Sequence, residues 1–332
     1  MAKARAIVKR RKAVRNIRKI TKTMQMIATA KFQKSLKRAV GSKPYTAKMR
    51  ELVRELALQV GPNVKHSLLR QPEKSAPGTL AKTGKIAIVV ITSNRGLAGG
   101  YNGNVLRMGY RFIREHVEKG APIDVYMSGK KGIAYLKFQK VPIAREILVS
   151  DPPRFSEVEP VAQDFIDQFS RGELDAVFVA FMNFISTGMQ KPVVHALLPL
   201  SGVVDVADSL AREVAEKAAQ VDAGALDARR SGAEVRLDEV QGIGQTLYDF
   251  MPSATELLDE LLPLAVKMAL FQAFLDAATS EHVARMVSMK SATDNADKIQ
   301  KSLTMKYNRA RQSQITTELS EIMGGVEAMK GS

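Results

Sequence analysis

The sequence predicts an α/β protein: a long antiparallel coiled coil formed by the N- and C-terminal helices, plus a central doubly wound α/β domain. Two observations predict it. Helical apolar spacing occupies both ends of the chain, over stretches too long for a helix within an ordinary domain. Between them, β-branched apolar runs alternate with helical segments, as in a mostly parallel sheet with right-handed crossovers. The expected organisation is an N-terminal helix over 1–60, a linker over 61–84, an α/β domain over 85–250 with an insertion at about 205–245, and a C-terminal helix over 251–332.

The first helix starts near Lys3 and carries the stripe Ala13, Ile17, Ile20, Met24, Ile27, Phe32, Leu36 and Val40. Pro44 should bend or briefly interrupt it, since proline lacks the amide that a helix interior uses. Gly61-Pro62 stops it. After a polar linker, Lys85–Ile91 reads as a buried strand. Thr92–Asn102 is a Gly-rich turn, and Val105–Lys119 is helical. Ile123–Met127 is a strand, Gly129–Phe138 a short helix and Ile143–Val149 an edge-like strand. Ser156 should cap a helix to Ser170, with Glu159 at its third position. Leu174–Phe184 and Val193–Leu200 complete the strands. Residues 205–245 are Ala-rich and charge-dense, an exposed insertion with at least one helix.

The last helix follows Ser253 or Thr255 as cap, with Pro263 as its one interruption and Gly324-Gly325 as its end. Its seam is Ala292, Ala296, Ile299, Leu303, Tyr307 and Ala310, continued by Ile315, Leu319, Ile322 and Val326. From Ser253 to Met323 it would be roughly 100 Å long. A helix entering the α/β domain and one leaving it pair antiparallel. The second is longer by about 13 residues, so its tip should overhang by roughly 20 Å. That tip carries Leu319, Ile322, Met323 and Val326, and an exposed apolar rod calls for a sleeve of another protein.

Charge is localised. Residues 1–50 hold 17 of the 50 Lys and Arg and no acid, so they carry essentially the whole net charge of +16. Such a segment is suited to an acidic partner. The absence of cysteine excludes disulfides and thiolate chemistry. No uninterrupted apolar run reaches the length of a membrane span. His66, His116, His195 and His282 lack metal-ligand spacing, and no catalytic constellation stands out, so neither catalytic residues, metal nor cofactor is expected. The Gly-rich turn sits where a doubly wound fold binds phosphate, but it lacks both the P-loop Lys and the dinucleotide fingerprint. Two alternatives follow from these features: a nucleotide-using α/β enzyme and a basic nucleic-acid-binding coil. Phe32 and Tyr45 are too few aromatics for base stacking.

Three stretches together resemble the γ subunit of rotary F-type ATP synthases. Lys19-Ile-Thr-Lys-Thr-Met-Gln-Met-Ile-Ala28 is similar to the family's first-helix signature. Thr92-Ser-Asn-Arg-Gly-Leu-Ala-Gly-Gly-Tyr-Asn102 is similar to its first strand and turn. Ser280–Met286, Ala292–Ala296 and Tyr307–Ile322 are similar to its C-terminal signature. The resemblance implies a Rossmann-like foot on a membrane c-ring with ε, and a shaft inside a hexamer of α and β subunits. It implies a non-catalytic subunit of an H+- or Na+-transporting ATPase that is peripheral on the cytoplasmic face of a bacterial inner membrane. It implies no nucleic-acid partner. By position, Arg285, Gln312 and Thr316 resemble residues engaging a β loop, and Met24 the methionine facing an acidic β lever. Lys19 and Lys22 suit that lever.

Departures are confined. Ala98 replaces a common Cys, Asn94 a usual Asp, and Met251 an acid that often precedes the proline of the foot. Residues 205–245 fall where photosynthetic members carry a redox-switch insertion, but without cysteine no thiol switch is possible.

Overall fold

The computed structural model describes residues 2–60, 67–69, 84–200 and 254–330. Most of the linker, the insertion at 205–245, Met251 and the cap Ser253 lie outside the described residues. The elements are α1 (Ala2–Val60), a 3₁₀ turn (Ser67–Leu69), β1 (Ile86–Ile91), α2 (Tyr101–Glu118), β2 (Ile123–Ser128), α3 (Lys130–Phe138), β3 (Arg145–Ile147), α4 (Phe155–Ser170), β4 (Ala176–Phe184), β5 (Gln190–Leu198) and α5 (Ala254–Lys330). The chain divides into two compact units. One holds Met1–Lys34, Gly96–Gly99 and His282–Ser332; the other holds Ser35–Arg95 and Gly100–Glu281.

The second unit is built on a five-stranded sheet of order β3-β2-β1-β4-β5. β1 lies at its centre, parallel to β2 and β4, and β3 adds parallel to β2. All six residues of β1 are buried, which is why its sequence is a continuous apolar run rather than an alternating one. One face carries Ala87, Val89 and Ile91 into a core with Val158, Ala162 and Phe165 of α4. Met49, Val53 and Leu56 of α1, and Leu258, Leu262, Val266 and Leu270 of α5, join the same core. On the other face α2 packs so closely that a Cβ at Gly109 would lie 3.2 Å from both Val90 methyls. The sheet is thus covered on both faces, as the doubly wound reading requires.

Several details differ from the sequence reading. β5 spans Gln190–Leu198 and runs antiparallel to β4. Reciprocal backbone bonds between Ser186 and Met189 (3.0 and 3.2 Å) close a tight hairpin, and a parallel crossover would need a dozen residues or more. β3 shrinks to three residues. α4 is capped at Arg154, not Ser156, and Glu157 rather than Glu159 occupies the third position. Glu157 Oε2 accepts from the Ser150 hydroxyl at 2.7 Å and the Ser150 amide at 3.0 Å. Neither Pro44 nor Pro263 interrupts its helix. Apolar residues on the far side of each proline are buried in the core, and that packing holds the helix through one missing amide bond. α5 also continues through Gly324-Gly325 to Lys330.

Part of α5 within Glu256–Val326 is long and apolar enough to cross a membrane by length and composition, with half of that window buried inside the protein. Its apolar side chains Leu258, Leu262, Val266 and Leu270 are the core contacts just described, so the stretch is apolar because it is a core helix.

Candidate functional site on the paired helices

Within the first unit, α1 and α5 pair antiparallel, and three contacts fix the register. Thr293 Oγ1 donates to Thr21 Oγ1 at 2.8 Å. Arg18 is ion-paired with Asp297. The Arg11 guanidinium lies 5.1 Å from the centre of the Tyr307 ring. As α1 numbers fall from 21 to 11, α5 numbers rise from 293 to 307, so the two helices run in opposite directions. In the sheet unit the two helices also run antiparallel, with Ser42 Oγ donating to Gln272 Oε1 at 2.7 Å. Gln272 Nε2 in turn donates to Asp276 Oδ1 at 3.1 Å, so a buried amide and carboxyl are satisfied together.

The seam is not the aliphatic stripe of the sequence reading. On α1 the inward column is Val14, Thr21, Gln25, Ala28, Phe32, Ser35 and Ala39, while Ile17, Ile20, Ile27 and Val40 are exposed, Ile20 to 60%. On α5 it is Met289, Thr293, Ala296, Gln300, Leu303, Tyr307, Ala310 and Gln314. Ala296, Leu303, Tyr307 and Ala310 were expected there; Ile299 was too, and it is exposed. Both columns step by four and three residues, with Arg18 completing the α1 series, the heptad rhythm of a coiled coil. The apolar stripe predicts large aliphatics at the seam, whereas this seam is mostly small and polar. The signal that finds it is the strict heptad spacing itself, irrespective of side-chain size.

Extrapolating from these contacts brings the first residue of α1 opposite about residues 312–316 of α5. The last turns of α5 therefore overhang by about 20–27 Å. Ile315, Leu319, Ile322, Met323 and Val326 are all exposed there, Ile322 to 64%.

The six candidate residues fall at three separate levels. Arg285 is buried, only 8% exposed, and its Nε and Nη2 both donate to the Gly96 carbonyl at 3.3 Å. It thereby grips the Gly-rich turn, where Leu97 and Gly99 have φ of 65° and 55°. Met24 is half-buried, and Lys19 and Lys22 are exposed. Lys22 Nζ reaches Gln25 Oε1 at 3.5 Å. Gln312 and Thr316 are exposed, one turn apart on one face, where the Thr316 hydroxyl donates to the Gln312 carbonyl at 3.0 Å. The rise along α5 separates Arg285 from Gln312 by about 40 Å. These residues are stations along a rod, not a pocket.

The rest of the Gly-rich turn is also occupied by its own protein. The Ser93 amide and hydroxyl both meet Asn102 Oδ1 at 3.0 Å. Asn94 Oδ1 accepts from the Lys130 amide at 3.2 Å, at the N-terminus of α3, and its Nδ2 donates to the Val149 carbonyl at 3.5 Å. An Asp here would keep the first bond and set a carboxylate against the Val149 carbonyl. Gly129 has φ of 94°, and a Cβ there would lie 2.2 Å from the Thr92 carbonyl oxygen. Among the described residues there is no cluster of three metal-ligating side chains.

A family model described as ATP synthase matches residues 3–329. The chain is 41% identical over 332 residues to an ATP synthase gamma chain of Rhodopirellula baltica, covering 100% of both. It is 36% identical over 331 residues to one of Leptospira biflexa, covering 99% of this chain and 100% of the relative. Among solved structures, a chain of the Euglena gracilis mitochondrial ATP synthase (OSCP/F1/c-ring) is similar with a TM-score of 0.60 and 19% identity, over 99% of this chain and 95% of that one. A chain of the Tetrahymena thermophila mitochondrial ATP synthase central stalk and c-ring is similar with a TM-score of 0.52 and 17% identity, over 82% of this chain and 99% of that one. These two share the fold.

Proposed function

Because the chain belongs to the ATP synthase gamma chain family, we propose that it is the central rotor shaft of an F-type ATP synthase. It is a non-catalytic subunit, and the nucleotide chemistry belongs to its partners. Those partners are α and β subunits forming a hexameric sleeve, an ε subunit and a c-ring; the assembly is membrane-associated. For this chain we place it on the cytoplasmic face of a bacterial inner membrane. Ion flow turns the ring, and the shaft turns with it. Coupling is differential contact: one asymmetric rod favours a different state in each of three otherwise equal catalytic subunits. In reverse, hydrolysis drives the rod.

The observation that carries this reading is the reversal of the usual coiled-coil pattern. Small and polar residues make up most of the seam, while Ile17, Ile20, Ile27 and Ile299 are exposed, and the overhanging tip adds Leu319 and Ile322. A rod built this way calls for an enclosing protein surface. Arg285, Gln312 and Thr316 are proposed to meet a β loop, and Met24, Lys19 and Lys22 an acidic β lever. Residues 1–60 and 251–332 are proposed as the shaft, 85–250 as the foot, and 61–84 as the linker between shaft and foot.

The deciding experiment is purification from native membranes through a tag on this chain. Stoichiometric α, β and ε with ATPase activity are expected; a chain recovered without them, or held instead by nucleic acid at physiological salt, rejects the proposal. Neutralising Lys19 and Lys22 together should lower coupled turnover and flatten its salt dependence, since exposed charges are screened over about 10 Å at 0.1 M salt. If turnover and salt response are both unchanged, the electrostatic part of the reading falls.

A further inference from the structure

We propose that Thr21 and Thr293 are positioning residues that pin the axial rotation and height of α5 on α1. Both are buried, at 9% and 5% exposed, in a seam whose neighbouring rungs include Ala28 and Ala296. Alanine knobs interlock weakly. Beside Thr21 and Thr293 the seam holds Gln25 and Ala296 along with Met289, and small or polar knobs resist sliding and rolling less than large apolar side chains that fill holes in the facing helix. A buried polar contact adds specificity, since the bond across the seam forms in one alignment and not in its neighbours, where each hydroxyl keeps only the acceptor on its own helix.

The hydrogen-bond arithmetic supports this role. Each hydroxyl has one proton. Thr293 donates to Thr21 Oγ1 at 2.8 Å while Thr21 donates to the Arg18 carbonyl at 3.1 Å. In the reverse sense, Thr21 donates across the seam and Thr293 donates to the Met289 carbonyl at 2.8 Å. Either way the relay ends on helix backbone and no buried donor is left over. A displacement by one turn sets Thr21 against Met289 or Asp297. The first leaves a buried oxygen facing a thioether. The second separates Asp297 from Arg18, its ion-pair partner in the observed register. That ion pair is about half exposed and is the weaker constraint.

The proposal rests on the rotor reading for its consequence. Rotation and height of α5 determine the direction in which Gln312 and Thr316 face. The pin itself is independent of that reading and is tested separately.

The test exploits a chain without cysteine, so introduced pairs have no background. Val14→Cys with Gln300→Cys reports the observed register. Val14→Cys with Ala296→Cys or Thr304→Cys reports displacement by a turn. Disulfide formation is measured in the full chain within its native assembly, with Thr21 and Thr293 intact, both changed to Val, or both changed to Ser. The double Val variant keeps the shape and removes the relay. It should raise the ratio of displaced to in-register disulfide several-fold, up to roughly tenfold, the scale set by one buried hydrogen bond. The double Ser variant keeps the relay and should restore the ratio. An unchanged ratio in the Val variant overturns the pin, whatever the activity. A raised ratio with an unchanged ratio of ATP synthesis to ATP hydrolysis overturns its role in coupling. A raised ratio with lowered coupling, both restored by Ser, is the expected result. Failure of the rotor reading would show instead as absence of α, β and ε from the purified assembly.

Discussion

At the entrance to α4, Glu157 shows how one side chain fixes a helix start that composition alone misplaces. Its carboxylate collects the Ser150 hydroxyl and amide and, at 3.4 Å, the Arg154 amide. Burial pushes this carboxyl up, but the Ser150 hydroxyl, the two amides and the Arg154 charge outweigh it and hold it below the ordinary carboxylate range. A depressed folded value means that the carboxylate stabilises the fold fully above its unfolded pKa. That contribution is lost as pH falls through the lowered folded value. Glu157→Gln should therefore cost about 1 kcal/mol near neutrality, the usual scale of a helix-cap interaction. The gap from the unmodified chain should narrow only below about pH 4.3, the unperturbed value for Glu. Denaturant melts between pH 7 and 3 measure it; a gap that stays constant into acid would refute the assignment. Arg285 gives the contrasting case. Its family resemblance points outward to a partner, yet its guanidinium donates twice to the Gly96 carbonyl. It thereby joins the Gly-rich turn to α5, a role that spacing along the sequence does not reveal.

At the scale of the helix, the paired columns separate what folds from what docks. Ala39 is fully buried, in the α1 column that faces α5, and Ile27 is half exposed, a little more than a quarter-turn from that column. Ala39→Leu inserts three carbons where none fit and should destabilise the chain by about 1–3 kcal/mol. Ile27→Gln removes an exposed aliphatic and should leave stability within about 0.5 kcal/mol. If the outer face docks, the second change should nonetheless weaken assembly and coupled synthesis. Equal losses of stability in thermal melts would show that the columns are wrongly assigned. The same columns mark how far the sequence was legible. The alternation of buried runs and helices identified β1, β2, β4, α2, α3 and the two terminal helices, because each has a strong period or a continuous apolar run. The hairpin to β5 was hidden because Val193–Leu200 has the apolar character of a parallel strand, and its direction lies in the Ser186–Met189 turn instead. The seam is hidden in the sequence because the largest aliphatics, Ile17, Ile20, Ile27 and Ile299, lie off it. In a rod that expects an external partner, the largest aliphatics face that partner and the seam receives what is left.

For the whole molecule, the governing feature is the mismatch between two helices that share one register. α1 ends its cover at about residues 312–316 of α5, and Leu319, Ile322 and Met323 extend beyond it with no helix alongside among the described residues. A stop codon after Gln314 removes this tip. No residue from Ile315 to Val326 is buried, so losing these twelve takes nothing from either core. The truncated chain should melt as the full one does, to within about 0.5 kcal/mol. Its solubility should rise, because an exposed apolar end is removed. The function should move the other way. Thr316 and the apolar tip supply contact that only a surrounding sleeve can use, so the truncated chain should assemble with lower affinity and synthesise less ATP per turnover of the ring. The decisive readout is the pair of measurements on one sample: unfolding of the isolated chain, and the ratio of ATP synthesis to hydrolysis in the assembly. Loss of both would mean that the tip is part of the fold. Retention of both would mean that it meets nothing, and the sleeve would have to be sought along the shared length of α1 and α5 instead. Unaltered melting with reduced coupling is the outcome required by an exposed, apolar helix end that no described helix covers.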